Sequence, residues 1–167
     1  MRHNSAKNVA LGGVMAALAL VVMCLGGLIP LATYVCPMFC AVLLMVVLKL
    51  TGRRMAWAWY AAVSVLSMLL GPDKEAAAVF VFLGYYPILK PWLDQRKLSF
   101  LWKLVLFNAA IFAMYGALIY VFGLAELAAE FEELGKVMTA VTLALGNATL
   151  FMMDALLTLL EKRKFHG

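Results

Sequence analysis

Residues 9–29 read VALGGVMAALALVVMCLGGLI, and this run decides the fold. About 21 residues at roughly 1.5 Å of rise each cover the hydrocarbon thickness of a bilayer, and no charge interrupts them. The run is therefore a membrane span. On a helical wheel Leu11, Val14, Met15, Leu18, Val22, Leu25 and Ile29 gather on one side. Ala6, Ala10, Gly12, Gly13, Ala16, Ala17, Cys24 and Gly27 fill the other. In lipid a leucine gains nothing by leaving the tails, so a flat face matters because it lets another backbone come close. That face either packs inside the chain's own bundle or docks another subunit.

The rest of the chain is of the same kind. Its 167 residues are 66% apolar with a mean hydropathy of +0.96, far above the usual soluble domain, so an integral membrane protein is expected. A cleaved secretory signal has a shorter apolar core followed by soluble sequence, so the amino terminus is expected to remain in the mature protein. No basic stripe interleaved with aromatic residues points to nucleic acid. Cys24, Cys36 and Cys40 have no histidine or carboxylate nearby in sequence and read as buried free thiols rather than metal ligands.

Five more apolar segments follow, at 34–50, 55–71, 76–89, 100–123 and 137–160, giving six spans in all. The second to fourth are short and demand upright crossing, local thinning or borrowed interfacial residues. The connections between them leave no room for a soluble domain. The expected fold is all-α: one compact bundle of six transmembrane helices over residues 1–167.

Charge orients the bundle. With the termini and alternate loops on one side, that side holds Arg2, Lys7, Lys49, Arg53, Arg54, Lys90, Arg96, Lys97, Lys103, Lys162, Arg163 and Lys164, leaving only Lys74 and Lys136 opposite. The positive-inside rule then puts both termini in the cytoplasm, which requires an even number of spans. Trp57, Trp59, Trp92 and Trp102 fall near the cytoplasmic ends, where indole favours the headgroup zone. The outer loops carry Asp73, Glu75, Glu126, Glu130, Glu132 and Glu133. Within 125–136, Leu127, Phe131 and Leu134 share one helical face and Glu126, Glu130 and Glu133 another. This predicts a short amphipathic outer helix between the fifth and sixth spans, either a solvated connector or a lid.

Polar groups inside a span are costly and so are candidates for function or interhelical bonding. Asp154 on the sixth span and Asn108 on the fifth count to similar depths and are expected to hydrogen-bond. That pair reads as a structural bond, a proton or cation step, or a partner contact. Asn147, beside Gly146 and Ala148, has donors, an acceptor and room for a ligand or another helix. Pro87 in Gly84-Tyr85-Tyr86-Pro87 breaks the fourth span, which either turns the two tyrosines into a cavity or leaves them packed with phenols on backbone.

No phosphate-cradling loop, His-Glu-x-x-His or Ser-His-Asp set is present, and His3 and His166 lie in the tails. No enzymatic activity and no cofactor are expected, and work against a gradient would need an ATP-hydrolysing partner or a coupling ion. The layout, the basic start and the stretch from Lys7 to Leu20 resemble the substrate-binding S component of energy-coupling-factor (ECF) transporters. The family's docking pattern is Ala-x-x-x-Ala. This chain has Ala6-x-x-x-Ala10 and then Gly13-x-x-x-Ala17, a departure in the second element.

The resemblance implies capture of a vitamin or similar micronutrient from outside a bacterial or archaeal cytoplasmic membrane. Uptake would be driven by a separate transmembrane coupling subunit and two ATPase subunits. It implies a substrate pocket at Thr33, Tyr34, Phe80, Tyr85, Tyr120, Thr142 and Asn147, and partner docking at Ala6, Ala10, Gly13 and Ala17. An aromatic pocket under an acidic mouth suits a flat, neutral or cationic ligand. A second class has a comparable layout: small membrane scaffolds similar to the MreD family, which bind protein rather than solute. A lipid-modifying enzyme would need a polar cluster on facing helices, for which Asp154 and Asn108 are a thin basis.

Overall fold

The structure, a computed structural model, describes residues 2–26, 32–120, 123 and 125–163, the side chains of 2–5, 32, 125–128, 130–134, 138 and 163 excepted. Gly27, Leu28 and Ile29, expected as the end of the first span, and Pro30 and Leu31 after it lie outside the described residues. The helices are α1 (Arg2–Gly26), α2 (Ala32–Thr51), α3 (Arg53–Leu70), α4 (Lys74–Leu83), α5 (Tyr86–Asp94), α6 (Ser99–Tyr120) and α7 (Ala125–Arg163). No strand occurs among the described residues.

Five stretches are long and apolar enough to cross a membrane: Ala6–Gly26, Thr33–Thr51, Lys74–Asp94, Ser99–Tyr120 and Gly135–Lys162. The third expected span, α3, is a helix of 18 residues that falls outside this set. Arg53 and Arg54 at its start, with Trp57, Trp59 and Tyr60, lower its hydropathy while leaving the helical path intact.

The chain divides into two compact units, Met1–Trp92 and Leu93–Gly167. In the first, α1, α2, α3 and α4 pack on one another. Their shared core includes Ala19, Met23, Leu44, Val47, Ala56, Val63, Ala77 and Phe80. Local chemistry fixes where these helices turn. Gly52 begins α3 at φ 92°, the left-handed region that glycine adopts without a Cβ penalty. At the other end Lys74 folds its ammonium onto the carbonyls of Met68 (2.8 Å) and Gly71 (3.0 Å), which the end of α3 leaves unpaired. Asp73 then caps α4, its Oδ1 accepting the Ala76 N–H at 3.0 Å.

The fourth span is interrupted as its sequence predicts. α4 stops at Leu83 and α5 starts at Tyr86, with Pro87 in the first turn where a missing N–H costs nothing. A Cβ at Gly84 would stand 2.6 Å from the Phe80 ring, so the break also needs glycine for space.

In the second unit α6 packs on α7. α7 is itself bent: Gly135 has φ 47° and ψ −120°, so a helical segment at 125–134 precedes the membrane-length part. A short helix ahead of the last span is therefore present, ending one or two residues before the expected boundary because glycine takes the break.

Candidate functional site

The candidate positions fall into separate groups, four of the seven pocket residues in the first unit and three in the second. Thr33 and Tyr34, at the start of α2, reach the start of α4. The Thr33 hydroxyl donates to Asp73 Oδ2 at 2.8 Å and the Tyr34 phenol to Glu75 Oε1 at 3.2 Å. One carboxylate of Asp73 thus caps a helix with one oxygen and holds its neighbour with the other. Of the acidic residues expected at the mouth, Asp73 and Glu75 thus accept from hydroxyl donors, and the side chains of Glu126, Glu130, Glu132 and Glu133 lie outside the described ones.

Phe80 and Tyr85 sit in an aromatic cluster. The Tyr60 ring packs 5.7 Å from Phe80, 6.0 Å from Tyr85 and 5.8 Å from Trp57, and Trp59 stands edge-on to Phe80 at 6.4 Å. Phe80 is fully buried. The Tyr60 hydroxyl donates to the Val81 carbonyl, close to where the helix is broken. Of the two readings of the Gly84–Pro87 break, the geometry matches the packed one, with a phenol on backbone. The phenol that does this at Val81 belongs to Tyr60, which lies on α3 and outside the break itself. Trp59 also departs from its expected interfacial role. It is buried and donates Nε1–H to the Gly12 carbonyl of α1 at 3.1 Å, whereas Trp57, Trp92 and Trp102 are exposed.

Tyr120, at the end of α6, is 89% exposed. Thr142 borders a cleft between α6 and α7 with Ile111, Phe112, Tyr115, Thr139 and Leu143. The cleft is half open, its cavity volume is about 30 Å³ and its accessible wall is apolar. That is below the roughly 300–1,000 Å³ of a typical small-molecule site.

The expected Asn108–Asp154 bond is corrected: each residue takes a different partner. Asn108 and Asn147 form a reciprocal amide pair, Nδ2 of Asn147 to Oδ1 of Asn108 at 3.1 Å and the reverse at 3.4 Å. Each amide also donates to the carbonyl one turn back, Leu104 at 2.7 Å and Leu143 at 2.8 Å. Both N–H groups of each side chain are thereby used, and Asn147 has none left for a ligand.

Asp154 instead accepts from Lys103 at 2.9 Å, and the same ammonium lies 2.6 Å from Asp94 Oδ1. The Lys103 side chain is only 9% exposed, Asp154 18% and Asp94 40%. The physical reason is register. Asn147 and Asp154 stand about two turns apart on α7, roughly 10 Å, so one asparagine on the antiparallel α6 cannot serve both. Lys103, which enters the charge count for orientation, is thus also a partner inside the second unit. A lone cation and a lone carboxylate inside two apolar runs were the signal that they belong together.

Ala6, Ala10, Gly13 and Ala17 are all exposed on α1, and a Cβ at Gly13 would meet nothing within 4 Å. The first unit uses the adjoining edge of the helix, Gly12, Ala19, Met23 and Gly26, all buried. The small-residue face is therefore split, one part buried in the first unit and the other exposed.

No family model, curated protein or solved structure matches this chain.

Proposed function

We propose that this chain is the membrane-embedded substrate-capture subunit of an ECF-type importer, with six spans counting α3 and both termini cytoplasmic. The observation that carries the reading is the open stripe Ala6, Ala10, Gly13 and Ala17, a smooth strip along a span that the chain's own core leaves uncovered. Close backbone approach is the use lipid-embedded helices make of such a strip. The cargo is a micronutrient taken from outside, and the motor is a separate coupling subunit with two ATPases.

A second reading has its own support. Phe80 is buried, Asn147 is spent on Asn108, and the cleft at Thr142 is small, an arrangement that suits a scaffold binding protein rather than solute. Purification from the native host followed by native mass spectrometry separates the two. A stoichiometric small molecule together with coupling subunits is expected, and neither would be found for a scaffold. Ala10→Leu with Gly13→Leu is expected to abolish complex formation and uptake while ligand binding persists. Unchanged uptake would overturn the docking role.

A further inference from the structure

We infer that the turn joining α2 to α3 is a binding site for the phosphate of an anionic phospholipid, held by Lys49, Arg53 and Arg54 beside Trp57. This rests on the chain lying in a bilayer and not on the importer reading.

The described cations divide into two sets. Lys74 is spent on backbone carbonyls and Lys103 on two carboxylates, and Lys90 and Arg96 have partners as well. Lys49, Arg53 and Arg54 make no hydrogen bond or ion pair, and all three are exposed. They lie within six consecutive residues, 49–54, around the tight turn at Gly52, whose positive φ brings the end of α2 directly onto the start of α3. The other unpaired cations, Lys7, Lys97, Lys136 and Lys162, are scattered along the chain.

Depth selects the partner. Leu50 within the trio and Trp57 just after it are exposed, and the outward apolar surface continues along α2 at Val35 and Phe39 and along α3 at Val65 and Leu69. A lipid-facing apolar surface that ends in an indole and three unneutralised cations puts those charges at the level of the lipid phosphates. Guanidinium groups bind phosphate oxygens with paired N–H donors, which zwitterionic headgroups offset with their own ammonium and anionic ones do not.

The test is native mass spectrometry of the full chain, released from detergent after equilibration with phosphatidylglycerol or with phosphatidylcholine of identical acyl chains. Basic side chains beside an anionic surface each add about a fivefold preference, so the wild type is expected to retain phosphatidylglycerol at least tenfold over phosphatidylcholine. Lys49→Gln with Arg53→Gln and Arg54→Gln should bring the ratio close to one. Lys97→Gln with Lys136→Gln and Lys162→Gln, which removes equal charge elsewhere, should leave it unchanged. Equal retention of the two lipids by wild type overturns the inference even if the triple variant cannot be purified. Equal loss in the two variants also overturns it, since net charge would then explain the preference. Displacement of the lipid by millimolar inorganic phosphate overturns it in favour of a free-anion site.

Discussion

In the first unit, Phe80, Trp59 and Tyr60 fill the space among four helices with rings, and the carboxylates Asp73 and Glu75 sit at a helix start. In the second, Lys103–Asp154 and Asn108–Asn147 lie on the facing surfaces of only two long helices, with Phe151 packed against Phe100 and Phe107. The contrast follows from the solvent. Lipid tails are as apolar as leucine, so helices gain by shape fit or by polar bonds that have no other partner. Four helices can surround a side chain and reward fit. Two can touch along a line only, and hydrogen bonds and ion pairs hold that line.

Lys103 is the sharpest place to break the second arrangement. Lys103→Met leaves Asp154, and in part Asp94, without the ammonium that neutralises them, and removing one partner of a buried pair costs about 4 kcal/mol. SDS titration of the full chain in mixed micelles should show a loss of that order. Adding Asp154→Leu should recover most of it, because two apolar groups replace the pair. Equal instability of the single and double variants would mean that packing, not charge, joins α6 to α7.

Phe80→Ala is the matching break in the first unit. It empties a fully enclosed site, and large-to-small changes of this kind cost about 3 kcal/mol. Phe80→Leu should cost less than half as much in the same titration. If both are neutral, the ring cluster does not hold the unit together.

Much of this contrast was legible in the chain. The runs around α1, α2 and α6 announce themselves by length and lack of charge, and Gly84 with Pro87 marks the broken span. Partner choice was less legible. Which amide meets Asn108 depends on the offset between α6 and α7, through contacts 39 and 51 residues apart, and no local pattern carries that offset. The split of the α1 face was hidden for a similar reason. Gly12 and Gly13 both fall on the small-residue half of the wheel, and Trp59, 47 residues away, chooses Gly12 by donating to its carbonyl.

The asparagine pair sharpens the comparison with a smaller effect. A double-mutant cycle of Asn108→Leu and Asn147→Leu isolates the amide coupling, since each side chain keeps its own-helix carbonyl bond when the other is removed. Coupling of about 0.6 kcal/mol, and no more than about 1.7, is the expectation for such bonds in lipid. A value near zero would assign the join between these helices to Lys103 and the stacked rings alone.

The smallest expected effect on folding is at Gly13, which makes it the most informative for function. A Cβ at Gly13 meets no atom within 4 Å and Gly13→Leu replaces a poor helix former with a good one, so stability should hold or rise by up to about 1 kcal/mol. Gly12→Leu, one residue earlier, places the side chain against Met55 and Trp59 and should destabilise the first unit in the same titration. If Gly13→Leu abolishes assembly with a partner while unfolding as wild type does, the exposed stripe acts on another chain. If instead the two substitutions destabilise equally, the open face belongs to the protein's own packing and the docking proposal fails with it.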